Sequence, residues 1–263
     1  FTDLGDISVG EDSGVYNEAW VQDGSISVGP ANEATQTYSF YMVEDETERK
    51  TYGNTSLFST EPAIDPDTGD ISFTPAENAN GSATYTVYLQ DNGGTEREGV
   101  DTSQGHELTI TVEAINDNPT YTLGGTVTVN EDSGTYENSF ATGITTGGGT
   151  DETGQSLTFT LSAADRSLFS AQPAMTNTGV LTFTPAEDKN GSTSVSVELT
   201  DGGNTVIKSF TITILPVNDQ PSFTDTGNID VEEDCGAKTI AWVSGYLLGP
   251  ANEIQTPTFS MTE

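Results

Sequence analysis

Acidic and amide side chains recur in this sequence at fixed places. The segment Glu11-Asp12-Ser13-Gly14 returns at residues 131–134 and, in a variant form, at residues 233–236. The dipeptide Asn116-Asp117 returns as Asn218-Asp219. Two carboxylates a few ångströms apart repel by about 1 kcal/mol even in water, whereas a hard cation takes six to eight oxygen ligands, which favours Ca²⁺ over Mg²⁺. The clusters therefore predict cation binding; the alternative is that acidic loops only keep the surface solvated.

The composition excludes several other kinds of chemistry. The chain of 263 residues carries 41 acidic and 7 basic side chains, a formal net charge of −34, which opposes direct binding of nucleic acid or insertion into an anionic membrane surface. One histidine, His106, and one cysteine, Cys235, leave little for nucleophilic catalysis or zinc binding. The sequence shows no recognisable pair of general acid and base and no phosphate-binding glycine loop. We therefore expect that this protein is not an enzyme.

Internal repetition predicts the domain organisation. Residues 73–77, Phe-Thr-Pro-Ala-Glu, return at 183–187, and residues 29–33, Gly-Pro-Ala-Asn-Glu, return at 249–253. The first repeat is the longer one because of two insertions of eight residues, which we expect to be loops. The predicted domains are residues 1–118, residues 119–220 and residues 221–263, the last being the N-terminal part of a third repeat.

Apolar residues alternate with polar ones inside each repeat. Tyr85, Val87 and Leu89 alternate with threonine and tyrosine, and the counterpart at 195–199 behaves alike. A period of two predicts strands with one buried face, and threonine suits the exposed face. About seven such strands in roughly 100 residues are typical of a β-sandwich. The predicted fold class is all-β, with tandem Ig-like sandwich repeats.

The segments between the repeats resemble those of a known family. Residues 116–119, Asn-Asp-Asn-Pro, and the stretch from Ile214 to Phe223 are similar to the linkers of cadherin repeats. The whole pattern is similar to the cadherin-like tandem repeats of very large secreted surface adhesins. The resemblance covers the full chain and implies Greek-key sandwiches joined by short calcium-binding linkers.

The resemblance also implies which residues hold calcium, with one to three ions at each junction. At the first junction these are Glu11, Glu77, Asn116, Asp117 and Asn118, with Asp151, Glu152 and Asp201 from the second repeat. At the second junction they are Glu131, Glu187, Asn218 and Asp219, with Asn252 and Glu253 from the third repeat. Asp91, together with Asn32-Glu33, is expected to face a further repeat.

The expected function is that of a structural spacer or adhesive segment of a long extracellular surface protein or filament, stiffened by Ca²⁺ at its linkers. The alternative is a carbohydrate- or protein-binding module that acts through the insertions near Tyr41–Tyr52 and Arg97–His106. Expected partners are further repeats of the same chain or neighbouring copies in a filament, and a cell-surface or glycan ligand. Three sequons, at Asn54, Asn80 and Asn190, are candidates for N-glycosylation or simple turns.

Overall fold

The computed structural model describes residues 1–52, 56–249 and 255–262, leaving out the side chains of residues 46–52 and 97. Over these residues the regular structure is β-strand, with three short 3₁₀ turns. The chain divides into two compact units: Phe1–Asn118 with Thr146–Gln155, and Pro119–Thr145 with Ser156–Glu263. The all-β prediction is confirmed. The predicted domain boundaries stay predictions.

Strands of the first unit build two sheets. In chain order they are β1 (Ile7–Gly10), β2 (Tyr16–Ala19), β3 (Tyr38–Tyr52), β4 (Phe58–Ile64), β5 (Asp70–Pro75), β6 (Asn80–Asp91) and β7 (His106–Glu113). One sheet has the order β1-β7-β6-β3 and the other β2-β5-β4, with β1 parallel to β7. Alternate side chains from both sheets, such as Ile71 and Val87, meet in one buried cluster. The period of two therefore produces a two-layered core.

Strands of the second unit repeat this plan. They are β8 (Thr120–Leu123), β9 (Val127–Asn130), β10 (Tyr136–Ser139), β11 (Ala141–Thr145), β12 (Thr158–Ala163), β13 (Phe169–Met175), β14 (Val180–Pro185), β15 (Gly191–Thr200), β16 (Thr205–Leu215), β17 (Ser222–Asp225) and β18 (Val243–Leu247). The sheets are β12-β15-β16-β9, β10-β14-β13, β11-β8 and β17-β18. The described part of the chain contains no helix long and apolar enough to cross a membrane.

The two repeats share the register that places the acidic motifs. Ile7 of β1 pairs with Ile110 of β7, and Val127 of β9 pairs with Ile212 of β16, in both cases in parallel. A one-residue slip would turn every apolar side chain outwards, so the buried face holds this register. The residue that follows β1 and the residue that follows β9 are both glutamate, and the fold therefore places them alike.

A tight turn explains why the Glu-Asp-Ser-Gly motif recurs. Asp12, Asp132 and Asp234 have φ values of 58°, 61° and 61°, and the glycine two residues after each also has a positive φ. Aspartate tolerates this left-handed conformation better than most residues, and glycine adopts it without strain. The motif therefore has a backbone role in addition to any role of its carboxylates.

The sequence predicted that the first insertion is a loop. In the structure, part of this insertion continues strand β3 instead. It lengthens β3 to 15 residues, against 6 in its counterpart β12. The extended strand keeps pairing with β6, which is itself 12 residues long, with an irregularity in register between Asp45 and Lys50. The second insertion contains the 3₁₀ turn Glu96–Glu98. An added segment stays in a sheet when its neighbour offers unpaired backbone groups.

The contact between Asp3 and His106 makes the stability of the first unit depend on pH. His106 Nδ1 lies 2.6 Å from Asp3 Oδ2, and the Phe1 ring lies 4.2 Å from the imidazole. The hydrogen bond from His106 holds the pKa of Asp3 below its usual value, with a smaller contribution from the Gly5 N–H. Because the folded pKa is lowered, the ionised carboxylate stabilises the fold above the unfolded pKa, and this contribution is lost as the pH falls through the folded pKa.

We therefore expect Asp3→Asn to lower the free energy of unfolding by about 0.5–1 kcal/mol at pH 6, and the difference from the parent to be smaller at pH 3. Chemical denaturation at both pH values measures this. Asp23→Asn, which removes a charge from an exposed turn, is the matched control. An equal deficit of Asp3→Asn at both pH values would contradict the assignment.

Candidate metal centres

The first candidate site, site A, is built around Glu11 in the first unit. This side chain directly follows β1 and is only 4% exposed. Its backbone N–H donates to the Glu113 carbonyl, and its Oε1 accepts from the Ile115 N–H, both at 2.9 Å. Its Oε2 is buried and has no hydrogen-bond partner among the described residues. Burying a carboxylate oxygen without a partner is costly, so this atom points to a missing ligand.

The loop at residues 146–155 completes site A. Its Glu152, 1% exposed, accepts hydrogen bonds from the backbone N–H of Asp117 and, at 3.0 Å, of Gly148. Gln155 Nε2 donates to Asn116 Oδ1 at 2.8 Å, while Gln155 Oε1 is buried with no hydrogen-bond partner in the described part of the chain. This loop belongs to the second repeat by sequence but to the first unit by its contacts.

Electrostatic repulsion marks site A. Burial raises the pKa of Glu11, and the charges of Asp151, Asp12 and Asp117 raise it further, against the opposing hydrogen bond from Ile115. Burial is also the main reason why the pKa of Asp117 is raised, followed by the charges of Asp12, Glu152, Asp151 and Glu77. The predicted ligands Glu11, Glu77, Asp117, Asp151 and Glu152 thus lie within electrostatic reach of one another. A cation would relieve this repulsion.

The second candidate site, site B, repeats this arrangement in the second unit. Glu131 directly follows β9 and is 1% exposed. Its N–H donates to the Leu215 carbonyl and its Oε1 accepts from the Val217 N–H, again both at 2.9 Å. Gln255 Nε2 donates to Asn218 Oδ1 at 2.5 Å, as Gln155 does to Asn116 in site A. Three hydrogen bonds are therefore reproduced in a second, differently spaced repeat.

Site B also contains a group of three aspartates. Carboxylate oxygens of Asp132, Asp188 and Asp219 lie within 4.8 Å of one another. Asp132 Oδ1 accepts from the Asp188 N–H at 3.4 Å, as Asp12 does from the Asn78 N–H at 3.2 Å in site A. In site A, Asn78 thus takes the place that Asp188 has in site B. The corresponding group of three side chains in site A therefore carries one negative charge less.

Sequence reasoning overlooked the roles of Asp12, Asp132 and Asp188. Each of them immediately follows a glutamate that was itself predicted as a ligand, Glu11, Glu131 or Glu187. The recurrence of this second acid in the repeated motif was the available signal.

Several predicted ligands are exposed, make local contacts or lie outside the described residues. Glu77, Glu187, Asn118 and Asp151 are exposed. Asp91 Oδ1 accepts from the Gly93 N–H at 2.7 Å, which caps its own turn. Asp201 belongs to the second unit, and its Oδ1 accepts from Gly203 and Asn204 N–H, both at 2.7 Å. Asn252, Glu253 and the sequon residue Asn54 lie outside the described residues.

Two sequons lie within the described part of the chain. Asn80 begins β6, and Asn190 immediately precedes β15. Both side chains belong to half-buried residues that are followed by a glycine with positive φ. This geometry suits the turn interpretation, and N-glycosylation stays a prediction.

The donor set fits a hard cation. Every side-chain ligand in sites A and B offers carboxylate or amide oxygen, and neither site includes histidine or cysteine among the residues named above. Such oxygen ligands suit Ca²⁺, whose coordination number is high and whose geometry is flexible. Glu11 and Gln155 each contribute a buried oxygen that the described protein groups leave without a hydrogen bond.

Comparisons with known proteins give distant structural likenesses. No protein-family profile and no curated protein sequence matches the chain. A Drosophila N-cadherin EC1-3 structure is 12% identical with a TM-score of 0.30, covering 81% of this chain and 65% of that one. Human protocadherin-24 EC1-2 is 13% identical with a TM-score of 0.42, covering 82% and 95%. A glycoside hydrolase family 107 endo-fucoidan hydrolase is 16% identical with a TM-score of 0.28, covering 82% and 28%.

The chain spans less than two thirds of the two N-cadherin structures it matches, 65% of the EC1-3 chain and 44% of the EC1-4 chain. All these TM-scores lie below 0.5, so these likenesses assign no function to the chain.

Proposed function

We propose that this chain binds Ca²⁺ at sites A and B and serves as a non-enzymatic spacer or adhesive segment of an extracellular protein. The observation that carries the proposal is the repeated arrangement around a buried glutamate, Glu11 in one repeat and Glu131 in the other. A calcium ion supplies positive charge and accepts oxygen ligands that the described groups leave without hydrogen bonds. Weak affinities, about 10⁻⁴–10⁻³ M, are usual for extracellular calcium modules, so a calcium-rich exterior suits such sites.

The protein groups hold the ligands in place before any ion arrives. Glu11 is fixed by Ile115, and Glu152 by Asp117 and Gly148, through backbone N–H groups that cannot rotate away. Asn116 is fixed by Gln155. A cation bound among these groups would tie the linker and the loop at 146–155 to the end of β1. In the proposed spacer, this link limits the freedom of the chain between consecutive repeats.

A second candidate function, binding of a glycan or a protein by the first repeat, is favoured by one surface feature. Tyr41 of β3 is 38% exposed and stacks on Tyr88 of β6, with ring centroids 5.2 Å apart and planes 19° apart. A stacked aromatic pair with one exposed ring offers a flat apolar surface for a sugar ring or a side chain. Loss of binding to a glycan array in Tyr41→Ser would distinguish this function from that of a spacer.

Calcium binding is tested by titrating Ca²⁺ into the chelator-treated protein in a calorimeter. We expect at least two bound ions for each chain. Glu11→Gln should weaken one class of sites about 10–100-fold, and Glu131→Gln should weaken the other class by as much. Each substitution removes a charge but keeps the side-chain volume, so the fold is retained.

The matched control is Glu18→Gln, which removes one charge from an exposed position on β2. It should leave both classes of sites unchanged. Absence of binding up to about 10 mM, ten times the weak limit for such modules, would contradict the proposal. So would an equal loss of affinity in the control, since it would mean that net charge alone attracts the ion.

A further inference from the structure

Sites A and B carry different side chains at one shared position, here named the corner position. It is Asn78 in site A and Asp188 in site B. The Asn78 N–H donates to Asp12 Oδ1 at 3.2 Å, and the Asp188 N–H donates to its counterpart, Asp132 Oδ1, at 3.4 Å. Asn78 and Asp188 are both half-buried and have positive φ values of 53° and 56°. The backbone is therefore equivalent at the two corner positions, and the charge of the side chain differs.

The corner position lies next to proposed ligands in both sites. In site B the carboxylate oxygens of Asp132, Asp188 and Asp219 lie within 4.8 Å of one another. In site A the loop at residues 146–155 lies directly against Asn78. A Cβ on Gly149 of this loop would come within 2.5 Å of the Asn78 carbonyl oxygen. The side chain at the corner position therefore belongs to the surroundings of any ion held in these sites.

The sequence compensates for this difference in charge at another place. The loop dipeptide is Asp151-Glu152 in site A, and its counterpart in the third repeat is Asn252-Glu253. Asp151 is exposed, whereas Asp188 is half-buried. Salt and water screen an exposed charge more strongly than a partly buried one. The place of the charge, rather than the number of charges, therefore distinguishes the two sites.

We infer that the corner position sets the calcium affinity of each site, and that site B consequently fills at a lower Ca²⁺ concentration than site A. This inference rests on the proposed calcium binding and adds an order of filling to it. The attraction between a divalent ion and one more carboxylate about 4 Å away raises the affinity about 10–30-fold even at the dielectric constant of water. Asn78 offers the ion a neutral amide oxygen instead. The number of charged ligands is also one of the factors that tune calcium affinity in other modules.

The order of filling gives the chain a graded response to calcium. At a Ca²⁺ concentration between the two dissociation constants, site B holds its ion and site A is empty. The segment around Asp219 is then tied to the end of β9, while the segment around Asp117 keeps its freedom. In the proposed spacer, the two linkers therefore stiffen in two separate steps.

Reciprocal substitutions in the full chain test the inference, with Ca²⁺ titrated into the chelator-treated protein in a calorimeter. In the parent, the tighter class of sites should be the one that Glu131→Gln weakens. Asp188→Asn should weaken this class about 10–30-fold, and Asn78→Asp should strengthen the other class by as much. The double variant should fill its sites in the reverse order. Both residue types tolerate the left-handed conformation, so the turns are retained, and the melting temperature in EDTA checks this.

A trivalent ion provides a second measurement. Coulomb attraction grows with the charge of the ion. The ratio between the dissociation constants of the two classes should therefore be larger for La³⁺ than for Ca²⁺, and Asp188→Asn should reduce this ratio for both ions. A ratio that is the same for the two ions would contradict a role of the Asp188 charge.

The matched control is Asn17→Asp, which adds the same charge at an exposed position of β2. It should leave both dissociation constants unchanged, and an equal gain in this control would overturn the inference because net charge would then be the cause. Equal affinities of the two classes in the parent, or an order of filling that the reciprocal variants do not change, would overturn the inference and leave the proposed function intact. Absence of calcium binding by the parent would overturn both.

Discussion

Replacing Trp20 with alanine is expected to lower the free energy of unfolding of the first unit by about 3–5 kcal/mol. The indole is 1% exposed, belongs to the buried cluster between the two sheets, and donates to the Gly5 carbonyl. The substitution leaves a cavity and an unpaired acceptor together. For a unit of this size the melting temperature should fall by roughly 10–20 °C.

The same substitution at Trp242 provides the comparison, because this residue makes the equivalent hydrogen bond without the burial. Trp242→Ala should lower the free energy of unfolding by less than about 1 kcal/mol. Each variant retains a single tryptophan, so fluorescence during urea denaturation follows one position at a time. Trp20, seen in Trp242→Ala, should emit at shorter wavelength than Trp242 does in Trp20→Ala. Equal losses of stability in the two variants would mean that burial is not the source of the effect.

The repeated Glu-Asp-Ser-Gly motif shows in the sequence that the central glutamates of both sites are equivalent, and the resemblance to cadherin repeats implies their role as ligands. Glu11 and Glu131 each follow an alternating apolar strand in a repeated motif, and strands with the same pattern adopt the same register. Their equivalent burial follows from that register. Local pattern and overall fold agree at these positions, and the role of the two glutamates as calcium ligands stays a prediction.

Contacts between segments that are distant in the chain are harder to predict from the sequence. Asp132 and Asp188 are 56 residues apart, and their approach depends on a left-handed turn and on the start of the segment after β14. Gln255 reaches Asn218 from a loop that no local pattern connects to the linker. Periodicity reports which face of a strand is buried but carries no information about such distances.

The length of β3 shows a different limit. Counting residues between matched positions locates the insertion correctly, but whether it leaves the sheet depends on the neighbouring strand. Here β6 extends back to Asn80 and pairs with residues up to Tyr52. The propensity of a polar insertion to form a loop is outweighed by backbone hydrogen bonds that the adjacent strand offers.

Calcium is expected to raise the melting temperature of the first unit by about 10 °C, and Glu11→Gln should remove this rise. An ion present at 100 times its dissociation constant stabilises the folded state by about 2.7 kcal/mol, which corresponds to a shift of that size in a domain of this length. The second unit, whose site contains Glu131, should keep its own shift in this variant. Differential scanning calorimetry with and without Ca²⁺ measures both transitions.

The effect of Glu11→Gln on stability should have opposite signs in EDTA and in Ca²⁺, which tests the prediction a second time. Burial raises the pKa of Glu11, with the neighbouring carboxylates adding to it, so the ionised side chain destabilises the fold when no cation is bound. Glu11→Gln should therefore be at least as stable as the parent in EDTA and less stable in Ca²⁺. NaCl at equal ionic strength is the control, since screening alone stabilises a chain with a net charge of −34. An equal rise in melting temperature with NaCl would show that Ca²⁺ acts only through screening. A Glu11→Gln variant that is less stable than the parent in EDTA would show that Glu11 has a packing role.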